Sequence, residues 1–174
     1  MPYRGAYSGS GTNFAAIYPG IPAHTGNPVS YASSGALPAG NDLVFTRVVA
    51  GFSPAAASIR VHIGASSGNI CVAVYEDNGS GLPGARLATS GSVASPGTGP
   101  QSIALTSTVE VRPGMWLAVG ADNTTVTFGR IAAPGSALGA NGAKFQAIQS
   151  SAFPAPSSAS AAAAWRAHFI LVAE

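Results

Sequence analysis

Charge is what this sequence has least of. Of its 174 residues, eight are Lys or Arg and six are Asp or Glu, 8% in all, against about 25% in an ordinary soluble domain. A freely diffusing monomer usually stays in solution behind a surface that is about 25–35% charged. The shortage therefore predicts a surface clothed in hydroxyls and small side chains, much of it covered by neighbouring subunits. Weak repulsion between copies suits a repeated lattice. The formal net charge of +2 and a pI of about 9.0 reflect a small imbalance among few charges. Arg4, Arg47, Arg60, Arg86, Arg112, Arg130, Lys144 and Arg166 are scattered singly, so the basic footprint of a nucleic-acid binder is missing.

Cysteine is almost absent too. Cys71 stands alone, which excludes an intrachain disulfide, and its place in Ile70-Cys71-Val72-Ala73-Val74 predicts a small core residue, not a reactive thiol. No apolar run approaches the roughly 20 residues of a membrane helix; Ala161–Ala164 is far too short. The opening Met1-Pro2-Tyr3-Arg4-Gly5 lacks the apolar core of a signal peptide, and synthesis in a cytoplasm is expected. No window offers a capped amphipathic helix. What is abundant is Ala, Val, Leu and Ile, which lift hydrophobic content to 47% with aromatics at 8% and mean hydropathy to +0.29. A chain of this length buries roughly two-thirds of its unfolded surface and can fold without a metal.

Two regions differ in pattern. Residues 1–40 carry Gly, four prolines (Pro19, Pro22, Pro28, Pro38 after Pro2) and spaced aromatics, with no helical or strand period. They are expected to form an extended arm lying on another surface, with Tyr3, Tyr7, Phe14, Tyr18 and Tyr31 as anchors. From Asn41 the sequence becomes a series of short strands separated by turn residues. Expected strands are Leu43–Val49, Ser58–Ile63, Asn69–Tyr75, Arg86–Thr89, Gln101–Thr106, Thr108–Val111, Met115–Gly120, Thr124–Arg130, Ala143–Gln149 and Trp165–Val172. In Ser58–Ile63 the apolar Ile59, Val61 and Ile63 alternate with Arg60 and His62. Asn69–Tyr75 is nearly continuous in apolar character, as a central strand would be. The pattern predicts an all-β, antiparallel, jelly-roll-like sandwich over 41–174.

Familiar motifs fail on context. Gly64-Ala65-Ser66-Ser67-Gly68 matches G-x-S-x-G, but a nucleophile elbow needs a helix after it; a strand follows at once, so a hairpin loop is expected. Gly79-Ser80-Gly81-Leu82-Pro83-Gly84 matches G-x-G-x-x-G, yet Pro83 and the strand behind it leave no helix for a pyrophosphate. Asp77-Asn78-Gly79 and Asp122-Asn123 carry cation-type oxygens, though neither has the further carboxylates of a calcium loop. Plain turns are favoured there, with a weak shared cation site as the alternative. His24, His62 and His168 lack metal-ligand spacing. An acid pair for glycoside hydrolysis would have to come from Glu76, Asp77, Glu110 or Asp122, all in or beside turns. Asn78-Gly79-Ser80 and Asn123-Thr124-Thr125 are glycosylation sequons that read here as polar turns. Trp116 and Trp165, one per strand amid Leu and Val, are assigned to the core over a sugar-stacking role. Neither a cofactor nor a catalytic residue is expected.

The runs Asn69-Ile70-Cys71-Val72-Ala73-Val74-Tyr75-Glu76-Asp77-Asn78-Gly79, Gly81-Leu82-Pro83-Gly84-Ala85-Arg86-Leu87-Ala88 and Pro113-Gly114-Met115-Trp116-Leu117-Ala118-Val119 carry a resemblance. They make the stretch from Ser58 to Arg130, about two-fifths of the chain, similar to a β-sandwich module of bacteriophage structural proteins and to carbohydrate-binding-like sandwiches. The resemblance implies a jelly-roll-like fold and a virion location; it brings no catalytic residue. The leading expectation is a non-enzymatic capsid decoration or cement protein. It would be a homo-oligomer, a trimer, whose partners are the major capsid protein or other virion subunits, with no nucleic acid or membrane bound. The alternative is a receptor- or glycan-binding module of a tail fibre or tail tip, reading a surface glycan through loops at Asp77, Asn78, Asp122 and Asn123. An enzyme such as a wall hydrolase ranks last.

Overall fold

Alternation in the sequence becomes alternation in burial. In the strand Ser53–Ala65, Ile59, Val61 and Ile63 are buried, while Arg60 is exposed and His62 half-buried. The structure is a computed structural model that describes residues 14–15, 33–48, 53–131, 146–163, 168–169 and 171–174. Among the described residues the strands, in chain order, are β1 (Phe14–Ala15), β2 (Ser33–Ala36), β3 (Leu43–Arg47), β4 (Ser53–Ala65), β5 (Asn69–Asp77), β6 (Pro83–Thr89) and β7 (Val93–Ala94). They continue with β8 (Gly99–Val111), β9 (Trp116–Ala121), β10 (Thr127–Ile131), β11 (Gln146–Gln149), β12 (Ala162–Ala163), β13 (His168–Phe169) and β14 (Leu171–Ala173). None of the described residues is helical.

The strands form two antiparallel sheets. The first runs β1-β14-β4-β10-β13, with β2 on β10 and β8 on β4; the second runs β12-β11-β3-β9-β5-β6, with β7 on β5. The all-β sandwich expected from the sequence is thus the fold. Between the sheets lies the larger core, with Ile59, Val61, Ile63, Phe128 and Leu171 from one side meeting Val44, Ile70, Val72, Val74, Leu117 and Val119 from the other.

Near-continuous apolar runs have a second cause here. β9 is buried at all six positions and β5 from Ile70 to Tyr75, because the second sheet is covered on both faces. On its outer face Leu43, Phe45, Cys71, Ala73, Tyr75, Trp116, Ala118 and Ala147 form a separate apolar cluster with Ala152 and Ala155. The cover is the chain after β11. It turns at Ser150–Ser151 and returns across the sheet as an irregular strap to Ala161.

Three expectations need amending. Gly64–Gly68 is not a hairpin loop: β4 belongs to the first sheet and β5 to the second, so the segment is a corner between sheets. Hairpins and corners demand the same turn residues, and only the partner strand tells them apart. The separate strands Gln101–Thr106 and Thr108–Val111 are one strand, β8, whose register against β4 shifts between the Val109 and Ala104 pairings. Finally, the segment 1–40 is not all arm. β2 pairs with β10 from Ala36↔Thr127 to Ser33↔Arg130, and β1 pairs with β14. Ser33-Ser34-Gly35-Ala36 has no apolar alternation to announce a strand; neighbouring β10 recruits it through the backbone.

Candidate functional site

The outer face of the second sheet is built row by row from strand register. One row is Arg86, Tyr75, Trp116 and Arg47, on β6, β5, β9 and β3. The next is Ala73, Ala118, Phe45 and Ala147, and the third is Cys71, Gly120 and Leu43. Large side chains stand at one end, and small ones make a trough beside them. Gly120 is essential to the floor: a Cβ there would sit 2.7 Å from Leu43 Cδ1 and 3.1 Å from Cys71 Sγ.

The strap fits this trough with small side chains and backbone hydrogen bonds. The Tyr75 hydroxyl donates to the Pro156 carbonyl (2.7 Å), and Arg86 Nη1 donates to the Ala155 carbonyl. The Arg86 amide donates to Ser157 O (2.9 Å) and the Ala159 amide to Gly84 O (2.8 Å), with Ala85 and Ser158 bridged. The strap thereby covers the outer edge of β6 as well as the face. Tyr75 meets Phe45 edge-on, ring centroids 5.1 Å apart. Tyr75, Trp116 and Phe45 are each wholly buried, which at roughly 1.5–3 kcal/mol for each large apolar side chain is substantial for one face. Burial pushes the Cys71 thiol up to about 11, against the opposing effects of the Ala155 and Gly120 backbone and of Arg86. Burial likewise raises the Tyr75 hydroxyl, with Arg86 opposing. Both groups stay protonated at neutral pH. Trp116 and Cys71 are core residues as the sequence predicts, but their core is the one beneath the strap.

The four polar loop residues fall into two pairs at opposite ends of β5. Asn69 at its start bonds Asp122, and Asp77 is its last residue. Eight steps of about 3.3 Å separate those ends by about 26 Å, so the fold does not bring the pairs together. Each pair is a joint. Asp77 Oδ1 accepts from the Gly79 (2.8 Å) and Gly81 (3.2 Å) amides, and Oδ2 from Trp116 Nε1 (3.1 Å), with Arg47 Nη2 at 3.5 Å. Arg47 also stands 5.8 Å from the Trp116 ring centroid. Asn78 Oδ1 accepts from the Ser80 and Leu82 amides, closing the β5–β6 turn. Partial burial would raise the Asp77 carboxyl, but Trp116, the two amides and Arg47 together hold it below the usual carboxylate range.

Asp122 and Asn123 tie the β9–β10 turn to the β4–β5 corner. Asp122 accepts from the Asn69 amide (3.0 Å), Asn69 Nδ2 (2.8 Å) and Asn123 Nδ2 (2.6 Å). Asn123 donates to Ser67 O and accepts from the Thr125 and Val126 amides. These bonds lower the Asp122 carboxyl, that from the Asn69 backbone most. Gly68, at φ +54°, lies against both side chains; a Cβ there would overlap Asn123 Nδ2 and Asp122 Oδ1. Ser66, the nucleophile position of the G-x-S-x-G match, shares a hydrogen bond with the Ser95 hydroxyl (2.8 Å).

Two other carboxylates are also engaged. Glu174 pairs with Arg60 (2.8 Å) and accepts from Ser102, Glu110 lies 3.6 Å from Arg112, and Glu76 is exposed. Sequence reasoning passed over Asp42, which is 2% exposed and accepts from the Ala39 amide; it also passed over Arg47 and Arg86. A charged residue inside or beside an apolar run was the signal for all three. Among the described residues no three His, Cys, Asp or Glu side chains group as a metal site. Tyr3, Tyr7, Tyr18 and Tyr31 of the expected arm, with His24 and Trp165, lie outside the described residues; Phe14 is in β1, opposite Ala173. Comparison with protein-family models, curated proteins and solved structures finds no match.

Proposed function

We propose that this chain is a non-enzymatic structural subunit, working as one copy among many in an assembly. One observation carries the reading: among the described residues, five side chains that could do chemistry are engaged as joints of the fold, and neutral groups dominate the exposed positions of β8. Asp77, Asp122, Tyr75, Trp116 and Ser66 all bond within the sandwich. The exposed positions of β8 are Ser102, Ala104, Thr106, Ser107, Thr108 and Glu110, with Pro100. Such a surface suits broad contact with like surfaces, where charge would oppose association.

The concrete form follows from the resemblance to phage sandwich modules. The chain is a decoration or cement protein that binds the assembled shell and stabilises it by mass action, because it binds the assembled state alone. Co-sedimentation with empty heads tests this, using the full chain and a chain lacking residues 1–13, which keeps β1 and β2 in their sheet. Binding by the full chain and loss with the truncation support the reading with its arm. Equal binding removes the arm from the mechanism, and no binding by either removes the shell.

A further inference from the structure

We infer that the C-terminal segment 152–174 is exchanged between copies, so that the trough on the outer face of the second sheet takes the strap of a second chain. This rests on the reading of the protein as an assembly subunit and specifies how the copies are joined.

The segment is attached to the preceding sandwich through one hinge, Ser150–Ser151. Beyond it lie the strap, β12 on β11, and β14 on β4. Among its described residues the contacts are of a kind an identical segment can supply, among them the Pro156 and Ala155 carbonyls on Tyr75 and Arg86, the bridge to β6, and Glu174 on Arg60. Only the hinge differs between a segment folded back on its own chain and one passed to a neighbour. That hinge is strained. Ser151 has φ +53° and Asn41 has φ +65°, the two non-glycine residues with positive φ among those described. They meet at one place, where the Asn41 carbonyl accepts from both the Ala152 (2.7 Å) and Phe153 (3.1 Å) amides. Asn tolerates that region; Ser does so at a cost. An extended hinge relieves it, as in domain swapping.

The face beneath decides the occupant. Phe45, Tyr75, Trp116 and Cys71 are each fully buried there, and in a chain with 8% charged residues an uncovered aromatic row has no polar margin to keep it in solution. A departing strap must be replaced, and the segment whose small side chains and carbonyls already match the trough is another copy of itself.

Ala155→Cys tests this, because the Ala155 backbone lies against the Cys71 thiol and no other cysteine competes. The variant is separated by size with light scattering, oxidised, and run on a non-reducing gel. Covalently joined chains in the oligomeric fraction, with internally bridged chains in the monomeric one, are expected. Oligomers that dissolve entirely into internally bridged chains overturn the exchange and leave the assembly reading standing. A wild-type chain that is monomeric at every concentration removes both. Ser151→Gly supplies a second readout that needs no cross-link. Relief of the hinge should lower the oligomer fraction roughly fivefold or more, and an unchanged fraction overturns the exchange.

Discussion

Replacing Asp77 by Asn keeps the shape of the side chain and removes one acceptor oxygen. Whichever way the amide turns, its NH2 faces donors, either the Gly79 and Gly81 amides or Trp116 Nε1 with Arg47. Turned toward wholly buried Trp116, the NH2 strands the indole N–H at about 1–3 kcal/mol; turned the other way, it strands the two glycine amides instead. Loss of the partly exposed Arg47 pair adds up to about 1 kcal/mol. A total of about 2–3 kcal/mol follows, and at about 2–4 °C per kcal/mol for a chain of this size, Tm should fall by about 4–12 °C. The assay is thermal and urea unfolding of Asp77→Asn beside Glu76→Gln. Glu76 is the neighbouring exposed carboxylate, and its loss should stay within about 0.5 kcal/mol. A double-mutant cycle sharpens the test: with Trp116→Phe already present, Asp77→Asn should cost about 1 kcal/mol less. If Asp77→Asn is as mild as Glu76→Gln, or the two changes simply add, Asp77 is not the joint described.

Further expectations follow from the same geometry. Asp77 and Asp122 both have lowered folded pKa values; their contribution is complete above the unfolded value of about 3.9 and is lost as pH falls through the folded ones. Tm should therefore decline below about pH 4, and Asp77→Asn with Asp122→Asn should flatten that decline. Gly68→Ala should cost about 2–4 kcal/mol, since strain at φ +54° is joined by overlap with Asn123 and Asp122. Gly91→Ala, at φ +67° in open space, should cost about 1 kcal/mol in the same unfolding assay. Cys71, raised to about 11, should react with a thiol reagent at pH 8 at least about a hundredfold more slowly than in the urea-unfolded chain; comparable rates would mean the strap does not cover it.

The strands were the legible part of this molecule. Ile59, Val61 and Ile63 announce β4 by alternation, and the Ile70–Tyr75 run announces a strand buried on both sides, because each signal is local. Trp116 and Cys71 were placed correctly as core for the same reason. The strap was not legible. Ser151-Ala152-Phe153-Pro154-Ala155-Pro156 has neither strand nor helix period, and its fit depends on Ala73, Ala118 and Gly120, which three-dimensional pairing brings together. The turns at Asp77 and Asp122 were visible as turns, but their work as clamps depends on distant Trp116, Arg47 and Asn69. The expected loop site joined residues that β5 holds apart, since sequence proximity to a turn says nothing of which end of a sandwich the turn occupies.

The path of the chain sets how this sandwich comes into being. β4 lies within the first sheet, yet one of its flanking partners is β14, so that Val61 waits for Leu171. The strands β3, β4, β5, β8, β9 and β10 alternate between the two sheets, with β6 and β7 staying beside β5 in the second. A chain made only as far as β10 therefore holds an open edge on β4 until β14 is added, and closing such distant loops makes folding slow, on the scale of milliseconds to seconds or longer. Under the exchange inferred above, that vacant edge would take a tail from whichever chain is nearer, and the crowding of newly made copies would help decide how many molecules finish alone.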